Sequence, residues 1–294
     1  MKGIVLAGGT GTRLWPITNS VCKQLLPVYD KPMIYYPIST LMLAGIREIL
    51  IITTPQDQGL FQDLLGDGSR FGISFQYAVQ KQPEGLAQAL SIGANFLENE
   101  SCLMILGDNI FHGAGLGSQL KTNLPKSGAH IFTYSVVDPS QYGILTSLPN
   151  GKAITIVEKP RNSDSKSAIT GLYFFDSKAS ELSLQIKPSS RGELEITSLL
   201  EMYLKANELT YTPLSRGTAW LDTGSPAALN DASQYIRVLE ERTGLKIGCL
   251  EEIALNFGWI DKEYLLKSLP ENNHNSYVKY LREITGDNEL DHQR

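Results

Sequence analysis

The sequence predicts a doubly wound α/β fold: a mixed but mainly parallel sheet flanked by helices, with antiparallel additions and a helical C-terminal appendage. Three observations predict it. Short, almost unbroken apolar runs recur at 2–7 (KGIVLA), 48–53 (EILIIT) and 101–107 (SCLMILG), as in strands buried on both faces of a parallel sheet. Stretches with helical spacing separate them, which is the alternation of a doubly wound sheet. After about residue 128 the pattern changes to closely spaced strands joined by turn residues, and these add antiparallel pairing.

The first run, 2–7, stops at a glycine cluster. Ile34, Ile38 and Leu41 then mark one face of a helix that leads to the second strand at 48–53. Leu86, Leu90, Gly93, Ala94 and Leu97 mark another helix before the third strand at 101–107. Crossovers between these strands are expected to be right-handed. Segments 130–136, 143–147, 153–159 and 170–175 read as strands, with Pro149-Asn150-Gly151 a turn between two of them. Segment 161–166 (RNSDSK) is polar and reads as a surface loop. Helices are predicted over 193–205 and 226–242, the second with Ser225 as N-cap and Pro226 at its first position. Beyond Gly244, Ile247, Leu250, Ala254 and Phe257, then Tyr277, Tyr280, Leu281 and Ile284, mark two short helices. The polar stretch 286–294 is expected to fray. With no internal repeat or low-complexity linker, residues 1–243 read as a core and 244–294 as a helical segment of the same domain.

Composition narrows the function. The chain has 294 residues, 42% hydrophobic and 19% charged, which excludes disorder and allows a large core. Its 26 basic and 31 acidic residues give a net charge of −5, so a sequence-independent nucleic-acid binder with a basic stripe is excluded. A small anionic substrate needs only a few local cations and stays open. Three cysteines (Cys22, Cys102, Cys249) do not make a disulfide framework. Without a basic, then apolar, leader at Met1 the chain is expected in a reducing cytoplasm. No apolar run approaches the roughly 18 residues of a membrane span. An enzyme or small-molecule binder of the cytoplasm is left.

The stretch Gly8-Gly9-Thr10-Gly11-Thr12-Arg13-Leu14 directly follows the first strand. Glycines there free backbone N–H groups to point at an anion and let a phosphate approach closely. It is not a Walker loop, because no Lys-Ser or Lys-Thr follows the last glycine. Nor is it the dinucleotide fingerprint, whose third small position would fall on Leu14; this weakens an NAD-dependent oxidoreductase. Arg13 follows instead, then Lys23 in Lys23-Gln24-Leu25-Leu26-Pro27. Glycines with two cations suit a triphosphate whose charge must be neutralised for substitution at phosphorus.

These residues carry a family resemblance. LAGGTGTRLWPIT and KQLLPVYDKPMIYYPIS resemble the N-terminal signature of the sugar-nucleotide pyrophosphorylases, most closely the short glucose-1-phosphate thymidylyltransferases. The likeness continues through LLGDGSRFGI, EGLAQAL, LGDNIF, VEKP, TGLYFFD, SRGELEIT and WLDTG, roughly residues 1–260. It implies a Rossmann-like mixed sheet and a Mg²⁺-dependent reaction of a nucleoside triphosphate with a sugar 1-phosphate, giving an NDP-sugar and pyrophosphate. In-line attack on the α-phosphorus needs no protein nucleophile; the protein positions two anions and offsets their repulsion.

The resemblance also implies roles. Gly8, Gly9, Gly11, Thr12 and Gln24 would hold the nucleotide, with Arg13 and Lys23 as charge stabilisers. Asp108 and Asp222 would bind Mg²⁺, and Asp108 ends an apolar run, where α/β sheets bind ligands. Asp108-Asn109-Ile110 is not an Asp-x-Asp motif, which argues against a metal-dependent glycosyltransferase. Gln80, Pro83 and Gly85 match the nucleobase pocket; Lys81, Gln82 and Glu84 depart from the usual pattern there, which bears on base selectivity. Tyr142, Gly143, Glu158, Lys159, Thr170, Gly171, Tyr173 and Arg191 match the sugar-phosphate site, while Thr146 and Lys166-Ser167 depart from it. Glu158 and Lys159 would point to opposite faces of an ideal strand, so both serve one ligand only if the strand ends or bulges there. Cys22, Trp15, Tyr35, Tyr36 and the four dispersed histidines read as packing or spectator residues. Glu251, Glu252 and Trp259 lie in the segment such enzymes use for subunit contacts and a regulatory nucleotide-sugar.

The expectation is therefore a homotetrameric (dimer of dimers) enzyme making dTDP-glucose and pyrophosphate from dTTP and α-D-glucose 1-phosphate, feeding dTDP-rhamnose and surface polysaccharide synthesis. The same chemistry with UTP or another sugar phosphate, and a non-catalytic nucleotide-sugar sensor, are the alternatives.

Overall fold

Six consecutive buried residues make β1 (Lys2–Ala7) a central strand, paired in parallel on both sides. The structure, a computed structural model, describes residues 1–9, 11–270 and 275–286. After β1 come the two-residue strands β2 (Pro27–Val28) and β3 (Lys31–Pro32), then α1 (Tyr35–Leu43), β4 (Glu48–Thr53), α2 (Gln58–Leu65) and β5 (Ser74–Val79). Next are α3 (Gln88–Ile92), α4 (Ala94–Leu97), β6 (Cys102–Leu106), β7 (Asn109–His112) and α5 (Leu116–Thr122). The strand-rich part contains β8 (Ala129–Ser135), β9 (Gly143–Ser147), β10 (Ala153–Glu158) and β11 (Ser167–Phe175). It continues through α6 (Ala179–Ser183), α7 (Ile196–Lys205), β12 (Leu209–Pro213) and β13 (Ala219–Asp222). Helices α8 (Pro226–Thr243), α9 (Leu250–Asn256), α10 (Lys262–Ser268) and α11 (Ser276–Thr285) follow.

The large sheet runs β10-β9-β11-β6-β1-β4-β5, with β8 beside β11 and β12 beside β8. Strands β6, β1, β4 and β5 are parallel, with Val5 opposite both Ile51 and Ile105. β11 turns the direction over: it pairs antiparallel with β6, β8 and β9, while β12 returns parallel to β8. This is the mixed sheet with antiparallel additions that the sequence predicts. The β9–β10 turn has Gly151 at φ 82°, a left-handed conformation that glycine adopts freely.

Two predicted helices are altered for identifiable reasons. The one over 86–97 is split at Gly93 into α3 and α4; a Cβ at Gly93 would lie 3.0 Å from Ile4, so the glycine lets this segment press on β1. The one over 193–205 starts at Ile196, because Glu195 is extended and the Glu193 carbonyl accepts from Ser189 N at 2.8 Å in a loop. Ser225 caps α8 as predicted, accepting from Ala228 N at 3.2 Å. The terminal stretch read as frayed lies, beyond Gly286, outside the described residues.

Helices cover both sheet faces. On one, α1 packs against the sheet and against α9, so that Leu250, Ile253 and Ala254 share a core with Ile38, Leu41 and Phe71. On the other, α3 and α7 cover Ile4, Ile52 and Met104. Among the described residues no helix is long and apolar enough to cross a membrane.

Candidate active site

The parallel strands β1 and β6 end beside one another, and their carboxyl ends open into a cleft of about 410 Å³. At the end of β1, a Cβ on Gly8 would lie 2.4 Å from Gln80 Oε1, so the missing side chain lets Gln80 lie against the backbone. Gly11, at φ 62°, starts the 3₁₀ turn Thr12–Leu14, and its carbonyl accepts from Thr18 Oγ1 at 2.9 Å. Leu14, the residue that breaks the dinucleotide fingerprint, is fully buried and anchors this turn. Arg13 stays exposed and reaches Gly224, where a Cβ would be 2.9 Å from its Nη2.

Lys23 sits on a further 3₁₀ turn (Lys23–Leu25), and its Nζ donates to Asp108 Oδ2 just past β6. Burial disfavours the charged form of Asp108, but the Lys23 ammonium outweighs it and holds the carboxyl below the usual aspartate range. Asp222, at the end of β13, behaves oppositely: burial and the charge of Asp108 raise its pKa, against Lys23 and Arg13. The two carboxylates therefore sense each other inside a setting of two cations. Neighbouring Cys22 is no nucleophile, since burial pushes its thiol up to about 12 despite Lys23.

Sequence reasoning missed the side chain that holds Asp108. Asn109 Nδ2 donates to Asp108 Oδ1 at 2.8 Å, while its Oδ1 accepts from Trp220 Nε1 at 2.6 Å and Gly171 N at 3.2 Å. β7 and β13 set Asn109 opposite Asp222, and Thr223 Oγ1 donates to the Asp108 carbonyl at 2.8 Å. The available signal was Asn109 itself, an amide next to Asp108 just past the apolar run 101–107. Gly171 is required here, because a Cβ would fall 2.5 Å from Asn109 Oδ1.

The cleft is lined by Gln80, Pro83 and Gly85 and also by Tyr142, Gly143, Glu158, Lys159, Gly171, Tyr173 and Arg191. Gly9 and Gln24 also line it. The strand does end where the ligand reading requires: β10 stops at Glu158, and Lys159 takes φ 42°, so both line the cleft. Arg191 is clamped by Glu195, with Nη2 at 2.8 Å from both carboxylate oxygens, and also donates to Glu158 at 3.2 Å. Tyr142 packs on Trp220 with ring centroids 5.1 Å apart.

Three predicted residues are not brought to the wall. Thr170 is fully buried and its hydroxyl donates to the Phe132 carbonyl at 3.0 Å, because its side chain falls on the far face of β11 from the cleft. Gly11 and Thr12 shape the turn that presents Arg13 and are not themselves among the lining residues.

The pair Asp108 and Asp222 suits a hard divalent cation such as Mg²⁺, which takes one or two carboxylates and completes its shell with water and substrate phosphate. Among the described residues no cluster of three or more His, Cys, Asp or Glu offers a fuller cage.

Residues 2–238 match the family model described as nucleotidyl transferase. A glucose-1-phosphate thymidylyltransferase of Xanthomonas campestris pv. campestris (strain B100) is 54% identical over 281 residues, 95% of each chain. That of Neisseria gonorrhoeae is 51% identical over 287 residues, 97% of this chain and 100% of the relative. Among solved structures, a Bacillus anthracis protein in complex with a sucrose has a TM-score of 0.74 and 43% identity, over 81% of this chain and 95% of its own. A UDP-glucose pyrophosphorylase complexed with UDP-glucose has a TM-score of 0.71 and 26% identity, over 81% and 98%.

Proposed function

Because this chain belongs to the nucleotidyl transferase family, we propose that it is the enzyme that joins dTTP to α-D-glucose 1-phosphate, giving dTDP-glucose and pyrophosphate. The observation that carries the reading is the arrangement of charge in one cleft. Arg13 and Lys23 are set against Asp108 and Asp222, and Glu158, Lys159 and Arg191 line the same cleft.

In this reading the nucleotide lies along Gly8 and Gly9 with its base toward Gln80, Pro83 and Gly85. A sugar-phosphate oxygen forms the new bond to the α-phosphorus while the bond to the β-phosphate oxygen breaks, and pyrophosphate leaves with the electron pair. Both reactants are anions, so the barrier is mainly repulsion and misalignment. Arg13 offers a fork to phosphate oxygens and Lys23 a point charge, and Lys23 can exchange Asp108 for phosphate without leaving the cleft. Lys159 and Arg191 hold the sugar phosphate, and Glu158 accepts from sugar hydroxyls. Asp108 and Asp222 would hold Mg²⁺, which when bound adds positive charge against the polyphosphate. Asn109 keeps the Asp108 carboxylate aimed.

The test is pyrophosphate release across the four dNTPs and UTP, each with glucose 1-phosphate and with an amino-sugar phosphate, in Mg²⁺. dTTP with glucose 1-phosphate is expected to turn over best. A clear UTP preference would overturn the thymidylyl assignment, and binding without pyrophosphate release would make the chain a sensor.

The reading extends to a cytoplasmic homotetramer, subject to feedback by a nucleotide-sugar, that supplies deoxysugar synthesis such as dTDP-rhamnose for surface polysaccharide. Exposed apolar side chains at Leu148, Ile154 and Val157 of the β9–β10 hairpin support subunit contact, and light scattering gives the mass.

A further inference from the structure

Gln80 directly follows β5 and is almost fully buried, its N–H donated to the Thr53 carbonyl at 2.8 Å. Its amide has a donor end and an acceptor end of nearly the same shape. Which end faces the cleft decides what the cleft recognises. Nε2 is already engaged: it donates to Gln88 Oε1 at 2.6 Å and to the Gly85 carbonyl at 3.3 Å. Gln88 Nε2 donates in turn to Glu84 Oε2 at 2.6 Å.

The direction of this chain is set at its outer end, because an ionised carboxylate only accepts. Glu84 takes the NH₂ end of Gln88, Gln88 is left with its oxygen for Gln80, and Gln80 must give its NH₂ to Gln88. Gln80 Oε1 is what remains for the cleft. It lies against Gly8 on the cleft wall and, among the described residues, accepts no hydrogen bond.

We propose that Glu84 and Gln88 are specificity-determining residues that fix the polarity of the Gln80 amide, so that this part of the cleft offers an acceptor and selects a pyrimidine with a ring N–H. Thymine and uracil carry that N–H; the matching nitrogen of cytosine is an acceptor and would face Oε1 lone pair to lone pair. The inference rests on reading this part as the nucleobase site. It makes no distinction between thymine and uracil, whose difference is a methyl group the relay does not touch.

The experiment compares kcat/KM for dTTP and dCTP, with glucose 1-phosphate and Mg²⁺, in wild type and two variants. An ammonium only donates, so Gln88→Lys can serve both Glu84 and Gln80 Oε1 and turns the Gln80 amide over. Its dTTP-to-dCTP ratio is expected to fall at least about tenfold, because an unmatched buried polar contact is exchanged for a matched one. The double variant E84Q/Q88E moves the carboxylate one step along the chain and keeps an acceptor toward Gln80, so its ratio should stay within about threefold of wild type. Each ratio is internal to one protein, so a loss of folded fraction cancels, and calorimetric titration with both nucleotides gives it for a variant too slow to assay. An unchanged ratio in Gln88→Lys, or an equal fall in both variants, overturns the relay. Wild-type enzyme that uses dCTP as well as dTTP also overturns it while leaving the functional reading intact. No pyrophosphate release with any nucleotide overturns that reading and the relay with it.

Discussion

Lys23 meets a carboxylate inside the cleft, and that partnership sets what its replacement will do. Removing the side chain would strand Asp108, a half-buried acid whose charge Lys23 sustains. Lys23→Gln keeps a donor, one atom shorter, toward Asp108 and discards the positive charge. Its thermal midpoint should stay within a few degrees of wild type, while kcat falls about 10²–10³-fold, the usual loss when one preorganised charge-stabilising contact is removed. Near-normal kcat would remove Lys23 from the charge stabilisers. A second residue acts through shape. Gly85 has φ 129°, and a Cβ there would lie 2.4 Å from Leu194 O and 2.6 Å from Leu194 N, backbone atoms that cannot turn aside. Gly85→Ala should cost at least about 1–3 kcal/mol from the backbone conformation alone and raise KM for dTTP. Denaturant melts and initial rates check both. Cations and glycines such as these were legible in the sequence because their chemistry is local. Asn109 was not: its partners Trp220 and Gly171 are distant in sequence and meet it only after two strands pair.

Elements carry the next level of constraint, and the β2–β3 hairpin shows how. Lys31 is buried against Glu240 of α8 at 3.0 Å and against Asp30, while Lys246 donates to Asp30 and, at 2.8 Å, to Glu240. Glu240 also accepts from Ile247 N at 2.9 Å, so the end of α8 and the chain after it are tied to the hairpin. Burial works against the Asp30 charge, but Lys31 and Lys246 more than offset it and lower its pKa. A carboxyl lowered on folding stabilises the protein above its unfolded pKa, near 4, and loses that contribution as pH falls through the folded value. Asp30→Asn should therefore lower the thermal midpoint at pH 7 by roughly 2–8 °C. The gap from wild type should close as the pH drops below about 4. A pH-independent gap in melts between pH 7 and 3.5 would show that packing, not charge, is what Asp30 supplies. None of this was readable from the sequence, where Asp30-Lys31 and Glu240 are ordinary surface types 209 residues apart. The parallel strands were readable because burial on both faces leaves an unbroken apolar run. Helix α2 and strands β5, β12 and β13 were not, because their half-exposed patterns have no such run.

At the scale of the whole molecule, a net charge of −5 coexists with a cleft that gathers Arg13, Lys23, Lys159 and Arg191, so overall charge describes the solvated surface and not the work. The same distinction applies to the C-terminal segment, which the sequence presents as an addition to a core ending near residue 243. In the fold, Leu250, Ile253, Ala254, Leu265 and Leu281 are buried in the cluster that holds Ile38, Leu41 and Phe71. Gly72 packs on the Trp259 carbonyl, where a Cβ would be only 2.6 Å away, and Arg47 lies over the Trp259 ring at 5.5 Å. Helix α1, against which α9 rests, begins beside the Lys23 turn: Ile34 N donates to the Gln24 carbonyl at 2.9 Å. Support for Lys23 thus runs from α9 through α1. The four larger aliphatic side chains alone are worth about 1.5–3 kcal/mol each when buried, roughly 6–12 kcal/mol together. That is comparable with the whole stability of an ordinary domain, about 5–15 kcal/mol. A chain cut after Thr243 should therefore fail to fold, giving insoluble product or a soluble fraction with no cooperative melt by circular dichroism. Leu250→Ala in the full chain should lose about 2–5 kcal/mol in denaturant melts and still fold, which separates loss of packing from loss of the segment. A truncated chain that melts cooperatively near the wild-type midpoint would make residues 244–294 an appendage after all.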